Sequence, residues 1–174
     1  MIPFRDADQA LRYSYRRWAQ DIVSISQTFT AMRGGSVRLG ESMDVWEHLA
    51  QAALVISFSR RVLSAQELEV LEARYIQPVG SLASQKELCV RLLSYKIFEE
   101  IQRKEVDRWY VCDLIRQWAG LEMKHPVRWW IEKDGISQRR AYKIRSLTYG
   151  IADARYQSAI DRLSVEMQGA GLIP

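Results

Sequence analysis

A chain of 174 residues, 48% hydrophobic and 26% charged, can fill one sizeable core or two small ones and is too apolar for disorder. Its net charge of +4 is modest, but residues 137–146 carry four cations and no anion, whereas residues 62–100 carry four cations against six anions. The two cysteines, Cys89 and Cys112, have neither zinc-ligand spacing nor the number needed for a disulfide framework. No metal or other cofactor is expected.

The opening "MIPFRDADQA" lacks the apolar run of a signal peptide, and the uncharged stretch 49–59 is too short to span a bilayer. The expectation is a soluble, cytoplasmic protein with no membrane partner. Four prolines and nine glycines are few, which favours long helices over a turn-rich β fold.

Taken in order, residues 4–32 read as a helix, with Leu11, Tyr15, Trp18, Ile22, Ile25 and Phe29 at intervals of three and four. "RGGS" at 33–36 stops it, and a second helix runs from Ser42 to Val62 with Val45, Leu49, Ala52, Ala53, Ile56 and Arg60 along one side. A short glycine-rich connector predicts an antiparallel hairpin over residues 1–62. Residues 63–174 form the second region. There Ser64 and Glu67 make a capping box for a helix with Leu68, Leu71 and Tyr75 inward, which Pro78 ends. Ser84 and Glu87 make a second box, opening a helix with Leu88, Leu92, Tyr95 and Ile101 on or near its buried face. In the next, over 106–119, Trp109, Cys112, Ile115 and Trp118 face inward and Gly120 is the C-cap. Pro126 begins a short helix that ends at Asp134-Gly135. A further helix runs from Ser137 to about Tyr149, Gly150 interrupts it, and the last covers 151–167, with Tyr156, Ile160, Leu163 and Met167 as its core stripe. No window alternates as strands do, so the predicted class is all-α.

Residues 127–147 have the pattern of a helix-turn-helix. Val127, Trp130 and Ile131 give the first helix an inward side, Gly135 supplies the turn, and Ile136 plugs the angle. Ser137 caps the second helix, and Ala141 and Ile144 turn inward. At about 100° per residue, Arg139, Tyr142, Lys143 and Ser146 then project outward on a face without a carboxylate. Gln138 and Arg139, near the helix start, would meet base edges in a major groove, while Tyr142 and Ser146 suit phosphates. Arg140, Arg145, Lys133 and Arg128 suit backbone phosphates, which add affinity without sequence information. The bland reading of the same residues is a solvated basic face.

"LSAQELEVLEARY" at 63–75 resembles the helix that opens region 4 of sigma-70-type factors, a module that also ends in a basic helix-turn-helix. With the Trp-rich helix 106–119 lying between the two parts, the arrangement is similar to small phage regulators, notably the late-gene antitermination proteins called Q. The resemblance covers roughly residues 63–147. It implies a protein that binds double-stranded DNA near a late promoter in a bacterial host and contacts RNA polymerase or a sigma factor. The DNA-reading role would pass to Ser137, Gln138, Arg139, Tyr142, Lys143 and Ser146.

Elsewhere the residues read as structure. Asp44 and His48 are an ordinary pair one helical turn apart. His125 leads into a helix, "GGSVRLG" at 34–40 is a connector, and the acids Glu67, Glu69, Glu72, Glu99, Glu100 and Glu105 are too dispersed for a metal. Trp109, Tyr110 and Trp118 are expected in the core, with Trp129 turned partly outward. No catalytic set emerges, so a non-enzyme is expected. The alternatives to a regulator, which could itself be a homodimer, are two. One is an oligomeric DNA-packaging or recombination accessory protein, comparable to a small terminase subunit. The other is a protein-binding helical adaptor, hinted at by the aromatic stock and the acidic 62–100 segment.

Overall fold

Asp6 starts the first helix, its carboxylate accepting the Gln9 amide at 2.8 Å while the Gln9 side chain accepts from the Arg5 amide at 2.7 Å. The computed structural model describes residues 4–32, 42–101 and 106–174, with side chains at 4–20, 47–101 and 106–174. The described residues form helices α1 (Ala7–Met32), α2 (Ser42–Val62), α3 (Ala65–Tyr75), α4 (Leu82–Ile101), α5 (Arg108–Trp118), α6 (Val127–Asp134) and α7 (Gln138–Gly169), and no strand. The class is all-α. The connector at 34–40, the "RGGS" stop, Glu105 and the side chains of Ile22, Ile25, Phe29, Asp44 and Val45 lie outside the described residues.

The chain divides into two compact units. The first comprises residues 1–64, 75–86 and 160–174. In it α1 and α2 pack on one another, burying Leu11 and Tyr15 from α1 and Ala52, Val55 and Ile56 from α2. The buried side of α2 is turned from the expected one, for Ala53 and Arg60 face outward and Ser59 inward. Ser59 is tolerable there because its hydroxyl donates to the Val55 carbonyl at 2.8 Å. Tyr15 stacks on Tyr75, whose hydroxyl donates to Asp8, and the buried Lys86 ammonium donates to the Ile76 carbonyl at 2.8 Å.

The second unit comprises residues 65–74 and 87–159. Its core joins Val70 and Ala73 of α3 to Val90, Leu93 and Ile97 of α4 and to Tyr110, Val111, Leu114 and Ile115 of α5. Trp130 of α6, Ile136, and Ala141, Ile144 and Ala152 of α7 complete it.

Further sequence expectations are corrected. Helix α4 begins at Leu82, not Ser84. Gly80, at φ 52°, reverses the chain soon after Pro78, and the Leu82 and Ala83 amides already donate to Val79 and Gly80 carbonyls. Leu88, Leu92 and Tyr95 face solvent, because α4 has two apolar sides and the one through Cys89, Val90, Leu93 and Ile97 takes the core. Trp109 is likewise exposed and Cys112 half-buried, whereas Tyr110 and Val111 point inward. Finally, Gly150 does not interrupt α7, which runs unbroken for 32 residues. A helical glycine costs only about 1 kcal/mol relative to alanine, and the helix continues through it with Thr148 and Ala152 buried on either side.

Candidate nucleic-acid interface

The segment that carries the expected DNA-reading face is built around two terminators. At the end of α5, the Gly120 amide donates to the Gln117 carbonyl at 3.1 Å and the Leu121 amide to Arg116 at 2.8 Å. That is a Schellman closure, with Gly120 at φ 79°. At the end of α6, Gly135 is left-handed at φ 62°, ψ 22°. Ile136 is buried just after it, and the Ser137 hydroxyl accepts the Arg140 amide at 3.3 Å, capping α7. Pro126 is the N-cap of α6 rather than its first residue, since its extended backbone precedes the first helical position.

Side chains of α5 hold this turn in place. Asp113, buried in the middle of α5, accepts three N–H groups: the Lys124 amide at 2.9 Å, the His125 amide at 3.1 Å and the Trp130 indole at 2.9 Å. The His125 ring Nδ1 also lies 3.4 Å from this carboxylate, which locks both the 121–126 loop and α6 to α5. Tyr110 donates its hydroxyl to the Ala141 carbonyl at 3.1 Å and packs its ring 5.8 Å from that of Trp130, tying down the first turns of α7. Burial pushes the Tyr110 hydroxyl up to about 12, so it stays a donor. Farther along α7, Asp153 accepts the Trp118 indole at 2.7 Å, and Tyr149 donates to Gln117 at 2.8 Å.

On this support Ser137, Gln138, Arg139, Tyr142, Lys143 and Ser146 are all exposed, while Ala141 and Ile144 are fully inside. No acid occurs in sequence between Asp134 and Asp153. Among the described residues, no ion pair or hydrogen bond engages the side chains of Arg139 and Lys143. Arg140 and Arg145 are half-buried, and the Arg145 guanidinium lies over the Tyr149 ring at 5.2 Å. An open groove beside Lys143, Ser146, Leu147 and Gly150 has Glu100 on its wall, but that carboxylate is taken by Arg155 at 2.6 Å.

The remaining two cations are differently placed. Arg128 pairs with Glu132 at 2.9 Å, an exposed pair one turn apart of the kind that contributes only a few tenths of a kcal/mol and exchanges readily. Lys133 is exposed but engaged: its ammonium meets Asp107 at 2.6 Å and lies 4.5 Å over the Trp130 ring. Burial alone would raise the Asp107 carboxyl, but the Lys133 ammonium and the Trp109 amide outweigh it and hold the group below its ordinary value.

Asp107, Tyr110 and Asp113 do not stand out in the sequence as site residues. The signal for Asp113 is an acid inside the apolar run "YVCDLI", a position that a solvated acid would not occupy. Asp107, directly before the helical residues, has the residue type of an N-cap, and its carboxylate accepts the Trp109 amide at 2.9 Å. Trp129 is turned partly outward as expected, stacked on His125 at 4.1 Å.

No protein-family model matches this chain, and no curated protein matches it either. Among the described residues, no group of three or more His, Cys, Asp or Glu could hold a metal ion, and no helix is long and apolar enough to cross a membrane.

Proposed function

We propose that this protein is a sequence-specific DNA-binding transcription regulator that reads duplex DNA with the start of α7, the second helix of a helix-turn-helix formed by α6, Gly135 and α7. The observation that carries the reading is the acid-free outer side of the first turns of α7, with Arg139, Tyr142, Lys143 and Ser146 exposed and, among the described residues, two long cations unengaged.

In that role α7 enters the major groove by its N-terminal end. Gln138 and Arg139 lie deepest, where a guanidinium forks onto guanine O6 and N7 and a carboxamide pairs with adenine N6 and N7. Lys143, Tyr142, Ser146 and Ser137 serve the flanking bases and phosphates. Arg140, Arg145 and Arg128 add backbone contacts, Arg128 by trading Glu132 for a phosphate. Lys133 joins them only by leaving Asp107, so it ranks last among the cations. The chain acts by binding alone, without catalysis or a cofactor. By its resemblance to late-gene antitermination proteins, the second partner is RNA polymerase or a sigma factor in the cytoplasm of a phage's bacterial host.

Selection of bound duplexes from a random pool, followed by sequencing, tests this reading. Enrichment of a defined motif is the expected outcome, and its symmetry reports whether one or two copies bind. A pool that stays unenriched at moderate salt, where non-specific binding is lost, would remove sequence reading from the protein.

A further inference from the structure

Helix α4 turns an apolar seam to solvent. Leu88, Leu92 and Tyr95 follow one another at spacings of four and three, one side of a heptad, and are 55%, 40% and 58% exposed. Trp109, 45% exposed at the start of α5, extends the seam sideways. With Tyr95, Arg91, Arg108 and Cys112 it lines an open cavity of about 200 Å³. The opposite side of α4 already packs into the core through Val90, Leu93 and Ile97, so the fold has no use for these four side chains. Large apolar groups collected in one exposed place mark a partner surface.

The cavity end of the seam is basic. Among the described residues, Arg91 and Arg108 line the cavity and no carboxylate does. Arg108 lies over the Trp109 ring at 4.9 Å, its charge still open to solvent at the cavity rim. Two neighbouring acids are already paired, Glu87 with Arg116 and Asp107 with Lys133 at 2.6 Å. Glu99, a turn beyond Tyr95, is the first acid along the seam itself.

We propose that this surface docks an acidic amphipathic helix of a partner protein. Aliphatic side chains of that helix would sit between Leu88, Leu92 and Tyr95, one larger anchor would fill the cavity beside Trp109, and carboxylates would meet Arg91 and Arg108. Tyr95, Trp109, Arg91 and Arg108 would also suit a nucleic acid, but Leu88 and Leu92, one helical turn apart, call for aliphatic partners that a nucleic acid lacks, so the seam favours a helix. A second copy of this chain would set Arg91 and Arg108 against groups of the same sign. The surface shares no residue with the DNA-reading face and stands or falls independently of it.

The test is to pan a phage-displayed library of helical peptides on the full chain, with counter-selection on the Leu92→Glu/Trp109→Ala variant. Survivors should carry apolar residues at positions i, i+4 and i+7 flanked by Asp and Glu. Their affinity should fall about ten-fold or more on Trp109→Ala and again on Arg91→Glu, with helical circular dichroism unchanged. All three substituted positions are exposed, and Arg91→Glu serves as the check should the double variant unfold. Survivors without acidic bias, survivors that bind both variants equally, or displacement of every survivor by a single-stranded oligonucleotide would overturn the proposal. So would a wild-type dimer that Leu92→Glu dissolves, which would give the seam to a second copy. Loss of duplex binding in the same variants is not an expected result and would bear on the DNA reading instead.

Discussion

The indole N–H of Trp130 donates to the buried carboxylate of Asp113 at 2.9 Å, and that bond ties α6 to α5. The same carboxylate takes the Lys124 and His125 amides, so one side chain satisfies three donors at the base of the α6–α7 turn. Replacing it leaves those donors dry. Asp113→Ala should cost about 3 kcal/mol, the range for losing charge-assisted bonds in a core. Urea unfolding measures it, and Trp130→Phe should lose a smaller part of the same energy.

The two glycines of this region should respond in opposite senses to alanine. Gly150 lies inside α7, is exposed, and a Cβ there would meet nothing within 4 Å. Gly150→Ala should therefore stabilise by about 0.5–1 kcal/mol. Gly135 has equal space but φ of +62°. Gly135→Ala should destabilise by about 1–2 kcal/mol. Thermal melts of the two variants beside the wild type give both signs at once.

Thr148 is buried in α7 with no hydrogen-bond partner for its hydroxyl among the described residues. Thr148→Val keeps the shape and removes the stranded oxygen. A gain of about 1 kcal/mol in unfolding free energy is expected. A loss of stability would mean that the hydroxyl is satisfied by solvent.

Alkaline pH should weaken the fold in two overlapping steps. Burial, reinforced by the Glu72 carboxylate, pushes the Cys89 thiol from 9.0 up to about 12, and burial pushes Tyr110 from 10.0 up to about 12. Both groups hold their protons more tightly folded than unfolded. Their contribution is complete below the unfolded values and disappears as pH rises through the window from about 9 to 12. Unfolding free energy measured at rising pH should fall across that window. Tyr110→Phe, although less stable at neutral pH for want of the bond to Ala141, should lose less between pH 10 and 12 than the wild type does.

What sequence could and could not disclose follows from the range of the interactions. Gly135, Ile136, Ser137, Ala141 and Ile144 act within a few residues of each other, and their left-handed turn, plug, cap and inward packing are all as expected. Asp113 reaches seventeen residues along the chain to Trp130, and no local pattern encodes that. On α4 the residues at 88, 92 and 95 and those at 89, 90, 93 and 97 offer two apolar faces, and periodicity cannot choose between them. The exposure of Trp109 has the same origin: Tyr110 and Val111, its neighbours, take the core positions. Gly150 shows the reverse error, a local breaker overridden by packing on both sides of it.

The measurement closest to the central claim is fluorescence anisotropy of a mixed-sequence duplex titrated across salt, with the wild type and Arg139→Ala/Lys143→Ala. The wild type should bind at low salt with a steep dependence on salt concentration. The variant, its helical circular dichroism intact, should bind at least about ten-fold more weakly, its salt slope shallower by about one for each phosphate contact removed. Equal affinities and equal slopes for the two proteins, or no binding by the wild type at any salt, would contradict the account.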